Sequence, residues 1–255
     1  MVKNIAHRGA RKMAPENTIE AAKQALLSGA DMWELDVQYT ADKSLIVMHD
    51  DTLSRTSNVH LIPSYNHKKP WNVSDFTKEE IGILDFGFSF HSPNPSQTSR
   101  KIDAPLLEEA VQFSKENSID MNIEIKDISG LPGHNQIASH VYSTVKELNF
   151  LDHVLFSSFH HHYLYQIKKI DPKARIAVLL DNPDKQLFTI MDELKAEAYH
   201  PFYQITDQFQ IKELHHKGFQ VNVWTVNDKQ LMESFIDMNV DGIVTDDPSL
   251  LSSLL

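Results

Sequence analysis

Short apolar runs alternate with longer amphipathic stretches along most of this chain, and that alternation leaves few folds open. Strand-like runs occupy residues 2–7, 33–39, 45–49, 121–126, 154–158, 175–180, 198–202, 219–226 and 242–245. Helical patterns occupy residues 17–28, 106–116, 135–148, 160–170, 184–194, 207–217 and 228–238. Strands that alternate with helices pair in parallel through right-handed crossovers. Over 255 residues such a pattern predicts a closed (β/α)8 barrel. A doubly wound open sheet is the alternative, weakened because no G-x-G-x-x-G follows the first run. Punctuation supports several helices. Asn17 with Glu20 reads as an N-cap and its capping-box partner, Gly29 and Gly218 as C-terminal stops, and Asp171-Pro172 as another helix end.

A barrel has eight strand positions, and the surplus run has a local explanation. Residues 33–39 and 45–49 lie too close for a helical crossover, so they are expected to form an antiparallel hairpin. With Asp42-Lys43 as a two-residue turn, Asp36 falls opposite His49. Residues 52–103 break the pattern. They are rich in Ser, Asn, Pro and His, include Ser92-Pro93-Asn94-Pro95, and read as an insertion within one domain spanning residues 1–255. A loop this long in a compact barrel usually serves the site, as a lid or substrate wall.

The chemistry gathers where strands should end, which in a barrel is the catalytic face. His7 and Arg8 close the first run, and Glu124 and Lys126 close the run after the insertion. Glu34 and Asp36 stand two residues apart in Trp-Glu-Leu-Asp-Val, so both side chains face the same way. An acid within an apolar run is costly to bury unpaired. Three such oxygen donors favour Mg²⁺ or Ca²⁺ over zinc. His7 and His49 suit general acid and base work near neutrality, and the Arg8 fork grips phosphate oxygens. This set points to metal-assisted cleavage of a phosphate ester. His160-His161-His162 looks like a metal site, but adjacent residues do not share a helix face, so a solvated helix start is expected, as for His215-His216. By pattern alone Trp224 reads as core. Asp246-Asp247-Pro248 reads as structural, and Asp50 as pointing away from its neighbour His49.

Composition excludes much else. The chain has no cysteine, which removes disulfides, thiolate nucleophiles and sulfur-rich zinc sites. A net charge of −11 disfavours nucleic acid as a partner. No apolar run reaches the roughly 18 residues of a membrane span, and no basic amphipathic stretch suggests stable membrane association. The first ten residues, MVKNIAHRGA, lack a signal-peptide core, so a cytoplasmic location is expected.

The strings HRGA, APENTIEAA, GADMWELDVQYTAD, IVMHDDTLSRTS, APLLEEAVQF, NIEIK, VNVWTVND and DGIVTDDP, in that order, closely resemble the glycerophosphodiester phosphodiesterases. The resemblance implies a TIM barrel with a small insertion after the His49-Asp50 motif. It implies metal-dependent hydrolysis of glycerophosphodiesters to glycerol 3-phosphate and an alcohol. By the same resemblance His7 and His49 are the acid/base pair. Glu34, Asp36 and Glu124 hold one divalent cation, Mg²⁺ or Ca²⁺. Arg8 and Lys126 contact the phosphate, Glu16 supports the site, and Trp224 and Phe159 contact the glycerol. The sequence departs from the family at Lys43, where glycine is usual. Two rival functions remain. A lysophospholipase D on the same barrel predicts an exposed apolar rim built from Trp71, Phe76, Phe86, Phe88 and Phe90. A catalytically idle barrel would only bind a phosphoester or a partner protein.

Overall fold

The computed structural model describes residues 1–91 and 100–255, with His91 described by its backbone alone; the Ser92-Pro93-Asn94-Pro95 stretch lies outside the described residues. Eight parallel strands close into a barrel: β1 (Lys3–Ala6), β2 (Met32–Tyr39), β4 (Asp120–Ile125), β5 (Val154–Ser158), β6 (Ile176–Leu180), β7 (Ala198–Pro201), β8 (Gln220–Val223) and β9 (Gly242–Thr245). Closure comes from β1, which pairs with β9 on one side and β2 on the other. The ninth strand, β3 (Leu45–Val47), runs antiparallel beside β2, as a surplus hairpin strand should.

The two faces of each strand explain the mixed sequence of β2. Trp33, Leu35 and Val37 turn outward under the helical layer and join the main core with Ile123, Ile125, Phe156 and Val178. The alternate residues turn inward. At the bottom of the barrel Ile5, Met32, Leu155, Ala177, Ala198 and Val244 form a small apolar plug. Glu34 and Asp36 follow Met32 on that inward face, so the acids sit above the plug.

The hairpin register differs from expectation by one residue. Val37 pairs with Val47, Gln38 with Ile46 and Tyr39 with Leu45, while the Met48 amide donates to the Asp36 carbonyl at 2.8 Å. The loop holds three residues, Ala41-Asp42-Lys43. Lys43 adopts φ +60°, and the Thr40 hydroxyl accepts from the Ser44 amide at 2.9 Å. A turn followed by one left-handed residue is the usual three-residue solution. Lysine therefore takes up a backbone conformation that glycine would adopt without strain. The first helix also starts one residue later than expected: Thr18, not Asn17, caps Ile19–Leu27 and accepts from the Ala21 amide.

The insertion has a core of its own. Leu53, Val59, Tyr65, Val73, Phe76, Ile81, Leu84 and Phe86 pack together with Ile46 from β3 and Met48 just beyond it. This packing answers the apolar-rim expectation. Phe76 and Phe86 are buried, Trp71 packs against the cluster, and Phe88 is half-buried with His60 at a ring separation of 5.5 Å. Of the five aromatics only Phe90 is exposed. No described helix is long and apolar enough to cross a membrane.

Gly9 fixes how the first strand leaves the barrel. It adopts φ +78°, and a Cβ there would lie 2.6 Å from the Ala21 backbone carbon. Backbone cannot step aside as a flexible side chain can. Gly9→Ala is therefore expected to destabilise the fold by about 3–4 kcal/mol, combining overpacking with left-handed strain. Thermal denaturation should show a fall of roughly 10 °C in Tm for a chain of this size. An unchanged Tm would mean that the first turn can re-route.

Candidate active site

Three carboxylates meet at the C-terminal mouth of the barrel. Glu34 and Asp36 from β2 and Glu124 from β4 offer oxygens that all lie within 4.8 Å of one another, and all three residues are buried. The β2–β4 register sets Asp36 directly beside Glu124, which explains the meeting of residues so distant in sequence. Two cations flank them. Lys126 Nζ donates to Glu124 Oε1 at 2.8 Å and lies 3.5 Å from Asp36 Oδ1. Arg8 Nε lies 3.3 Å from Asp36 Oδ2, and the Arg8 amide donates to Glu34 Oε2 at 2.9 Å. Asp36 Oδ2 also accepts from Asn17 Nδ2 at 2.8 Å, while its amide donates to Asn17 Oδ1 at 3.2 Å. Asn17 thus clamps a central acid. The φ of +58° at Asn17 turns it into the barrel, so its role as a helix cap does not hold.

Charge in this cluster is unbalanced. Burial pushes the Glu34 carboxyl well above its ordinary range, and the neighbouring Asp36 and Glu124 push it further. Burial likewise raises Glu124, again with help from Asp36. Asp36 goes the other way: burial would raise it, but Lys126 and Arg8 hold it down. Three carboxylates against Arg8 and Lys126 leave one uncompensated negative charge. Asp36 Oδ1 is buried and accepts no hydrogen bond among the described residues. The triad therefore fits a hard divalent cation, whose preferred ligands are carboxylate oxygens.

Both histidines reach the same cavity, and each carries a carboxylate on its Nδ1. His7 Nδ1 donates to Asp246 Oδ1 at 2.7 Å, and Asp246 Oδ2 is held by Asn227 Nδ2 at 2.8 Å. Asp246 is thus joined directly to a residue that lines the cavity, a contact that reading it as structural did not anticipate. Burial depresses the His7 imidazole, against the upward pull of Asp246. His49 Nδ1 donates to Asp50 Oδ1 at 2.8 Å. The alternation argument against Asp50 fails because β3 ends at Val47, so His49 and Asp50 are not strand neighbours. A carboxylate on Nδ1 fixes the tautomer and turns Nε2 towards the other side of the ring.

The cavity holds about 130 Å³, and its walls include His7, Arg8, Glu34, His49, Glu124, Phe159 and Trp224. The Phe159 and Trp224 rings meet edge-on at 5.5 Å, and Trp224 also touches the apolar plug, so it is both core and wall. His200 on β7 lines the cavity without any sequence signal having singled it out. Burial lowers its imidazole to about 3, so it stays neutral, and its Nε2 accepts from Asn222 Nδ2 at 2.9 Å. Asn122 on β4 is another lining residue that motif reading missed.

Glu16 stands just outside. Its Oε1 accepts from Arg8 Nη1 at 2.8 Å, and its Oε2 lies 3.2 Å from Arg11. Burial would raise this carboxyl, but hydrogen bonds from Arg55 and the charges of Arg8 and Arg11 bring it to about 2. The histidine run behaves as a helix start. His161 bonds the Leu179 carbonyl, and His162 bonds Gln166. His215 pairs with Asp241 at 2.8 Å and does not line this cavity.

Comparison with known proteins agrees with this architecture. Residues 7–250 match the Glycerophosphoryl diester phosphodiesterase family. A glycerophosphodiester phosphodiesterase of Caldanaerobacter subterraneus subsp. tengcongensis is 37% identical over 98% of this chain and 96% of its own length. Another from Bacillus altitudinis is 36% identical over 97% of this chain and 96% of its own length. A solved phosphodiesterase of Oleispira antarctica, in complex with the product sn-glycerol-3-phosphate, shares the fold with a TM-score of 0.84. It is 24% identical and covers 98% of this chain and 94% of that one. The match across nearly the whole barrel, and two relatives above a third identity, establish that this chain belongs to the glycerophosphoryl diester phosphodiesterase family.

Proposed function

We propose that the protein hydrolyses glycerophosphodiesters to glycerol 3-phosphate and an alcohol, using one divalent cation, Mg²⁺ or Ca²⁺, held by Glu34, Asp36 and Glu124. The observation that carries this reading is the convergence on one cavity of Glu34, Glu124, Arg8 and two carboxylate-backed histidines, with Asp36 and Lys126 joined to them by short ion pairs. The names of the two bacterial relatives support the substrate class. When bound, the cation would neutralise charge on the phosphodiester oxygens and turn the cluster's net charge from minus one to plus one, opposite to a phosphodiester.

The remaining work falls to the chain. Arg8 and Lys126 grip the phosphate oxygens, and their own carboxylate contacts keep both side chains in place. His7, depressed by burial, is neutral at physiological pH and takes the proton from the attacking hydroxyl. His49, the more exposed of the two at 34%, stands nearer solvent and gives a proton to the departing alcohol. Phe159 and Trp224 offer an apolar wall to the glycerol carbons. The proposed substrate is a small molecule, as the names of the two bacterial relatives suggest.

The test is release of glycerol 3-phosphate from glycerophosphocholine by metal-stripped protein, with Mg²⁺ or Ca²⁺ added back. Release should require the cation and fall by at least about a hundredfold without it. Equal rates with and without metal would overturn the assignment of the triad. No release with either ion would overturn the substrate.

A further inference from the structure

One side chain of the insertion ties together two carboxylates that serve different catalytic groups. Arg55 donates Nε and Nη2 to the two oxygens of Asp50 at 2.6 and 2.9 Å. It donates Nη1 and Nη2 to the two oxygens of Glu16 at 2.8 and 2.7 Å. Only a guanidinium can present this double fork. We propose that Arg55 is a positioning residue that fixes His49 through Asp50, and that holding this arm is a task of the insertion. The proposal rests on the reading of His49 as an acid/base group.

The geometry separates what depends on Arg55 from what does not. The Asp50 backbone is fixed independently, since buried Gln38 donates to the Asp50 carbonyl at 2.8 Å and to the Met48 carbonyl at 3.1 Å. The Asp50 side chain has only His49 and Arg55 as partners among the described residues. Without Arg55 the carboxylate can rotate, and the imidazole loses the acceptor that sets its tautomer. Arg8, in contrast, keeps Asp36 and Glu16, and Glu16 keeps Arg11. Loss of Arg55 should therefore fall on proton transfer and not on phosphate binding. The arm itself is anchored within the insertion. Leu53 and Ser57, on either side of Arg55, are fully buried, and the Arg55 carbonyl accepts from Ser89 Oγ at 2.6 Å. Arg55 is 47% exposed, but its two bidentate forks form a network, so its loss also costs some stability and the rate is read on protein shown to be folded.

The experiment uses metal-loaded protein and glycerophosphocholine, with His49→Asn as the reference variant. Arg55→Ala should lower kcat by about 10–100-fold, with KM within about threefold and Tm lowered by no more than a few degrees. Millimolar guanidinium ion should restore part of the lost kcat. Arg55→Lys should recover little, since one ammonium cannot bridge both carboxylates. Combining Arg55→Ala with Asp50→Asn should cost no more than the worse single change, because both act along one path. A kcat within twofold of the parent, a loss confined to KM, or losses that multiply would each overturn the proposal. If Arg55→Ala does not fold, Arg55→Gln serves in its place under the same criteria. An active His49→Asn variant would bring down the acid/base reading and this proposal with it, which distinguishes that failure from an inactive His49→Asn beside an active Arg55→Ala.

Discussion

His49→Asn should lower kcat by about 10²–10⁴-fold, the range over which a positioned proton-transfer group contributes. Asparagine keeps a donor near the place of Nδ1, so Asp50 is not left unpaired, but it offers nothing that can exchange a proton at Nε2. His7→Asn should cost a similar factor, since the carboxylate of Asp246 backs it in the same way. KM should change only a few-fold, because the proposed phosphate contacts, Arg8 and Lys126, are untouched. The two losses should not multiply: with either histidine gone the concerted proton relay is already broken, so the double variant should be no slower than about the worse single one. Steady-state kinetics on metal-loaded protein decide this. A variant of either residue that keeps a tenth of the parental kcat would remove that histidine from the mechanism.

The second large effect has opposite signs for stability and activity. Glu34→Gln should stabilise the metal-free protein while abolishing metal-dependent turnover. Burial and the charges of Asp36 and Glu124 raise the Glu34 carboxyl in the folded state. A carboxyl raised on folding binds its proton more tightly in the native state, so stability is full below its ordinary range and drains away as pH rises from there up through the raised value. Glutamine keeps an oxygen that can accept from the Arg8 amide and removes the charge. A gain of about 1–3 kcal/mol, or roughly 3–8 °C in Tm, is expected at neutral pH with a chelator present. Added Mg²⁺ or Ca²⁺ should then raise the Tm of the parent and hardly that of the variant, because stabilisation by a ligand follows its affinity for the native state. The variant should also lose at least about a hundredfold in rate. A lower metal-free Tm for Glu34→Gln would show that the ionised carboxylate is better compensated than its neighbours suggest. Such a trade between stability and function is common where like charges are gathered for catalysis.

What could be read from the sequence follows from what is local. The strands were legible because each is a short apolar run bounded by polar residues, and the acids were conspicuous because they interrupt one face of such a run. Glu34, Asp36 and Glu124 could be grouped because a parallel barrel brings strand ends together whatever their spacing in the chain. The hairpin register was missed because it turns on whether one lysine adopts a left-handed backbone, a choice settled by the Thr40 hydroxyl and not by pattern. Asn17 was misplaced because a cap and an inward clamp draw on the same residue type. The partners of the two histidines were hidden for different reasons. Asp50 depends on where β3 stops, and Asp246 depends on the closure of the whole barrel. Arg55 lies in the segment with the weakest periodicity, where alternation of apolar residues says nothing about which side chains reach the mouth.

The bond between His7 and Asp246 joins residues separated by 239 positions. During synthesis at about 5–20 residues per second, His7 emerges roughly 12–50 s before its partner exists. Until β9 docks against β1, the first histidine has neither its tautomer-setting carboxylate nor the wall that Val244 supplies. The growing chain therefore carries all three carboxylates of the proposed metal site long before the partner of His7 exists, and the pairing of that histidine must wait for the end of synthesis.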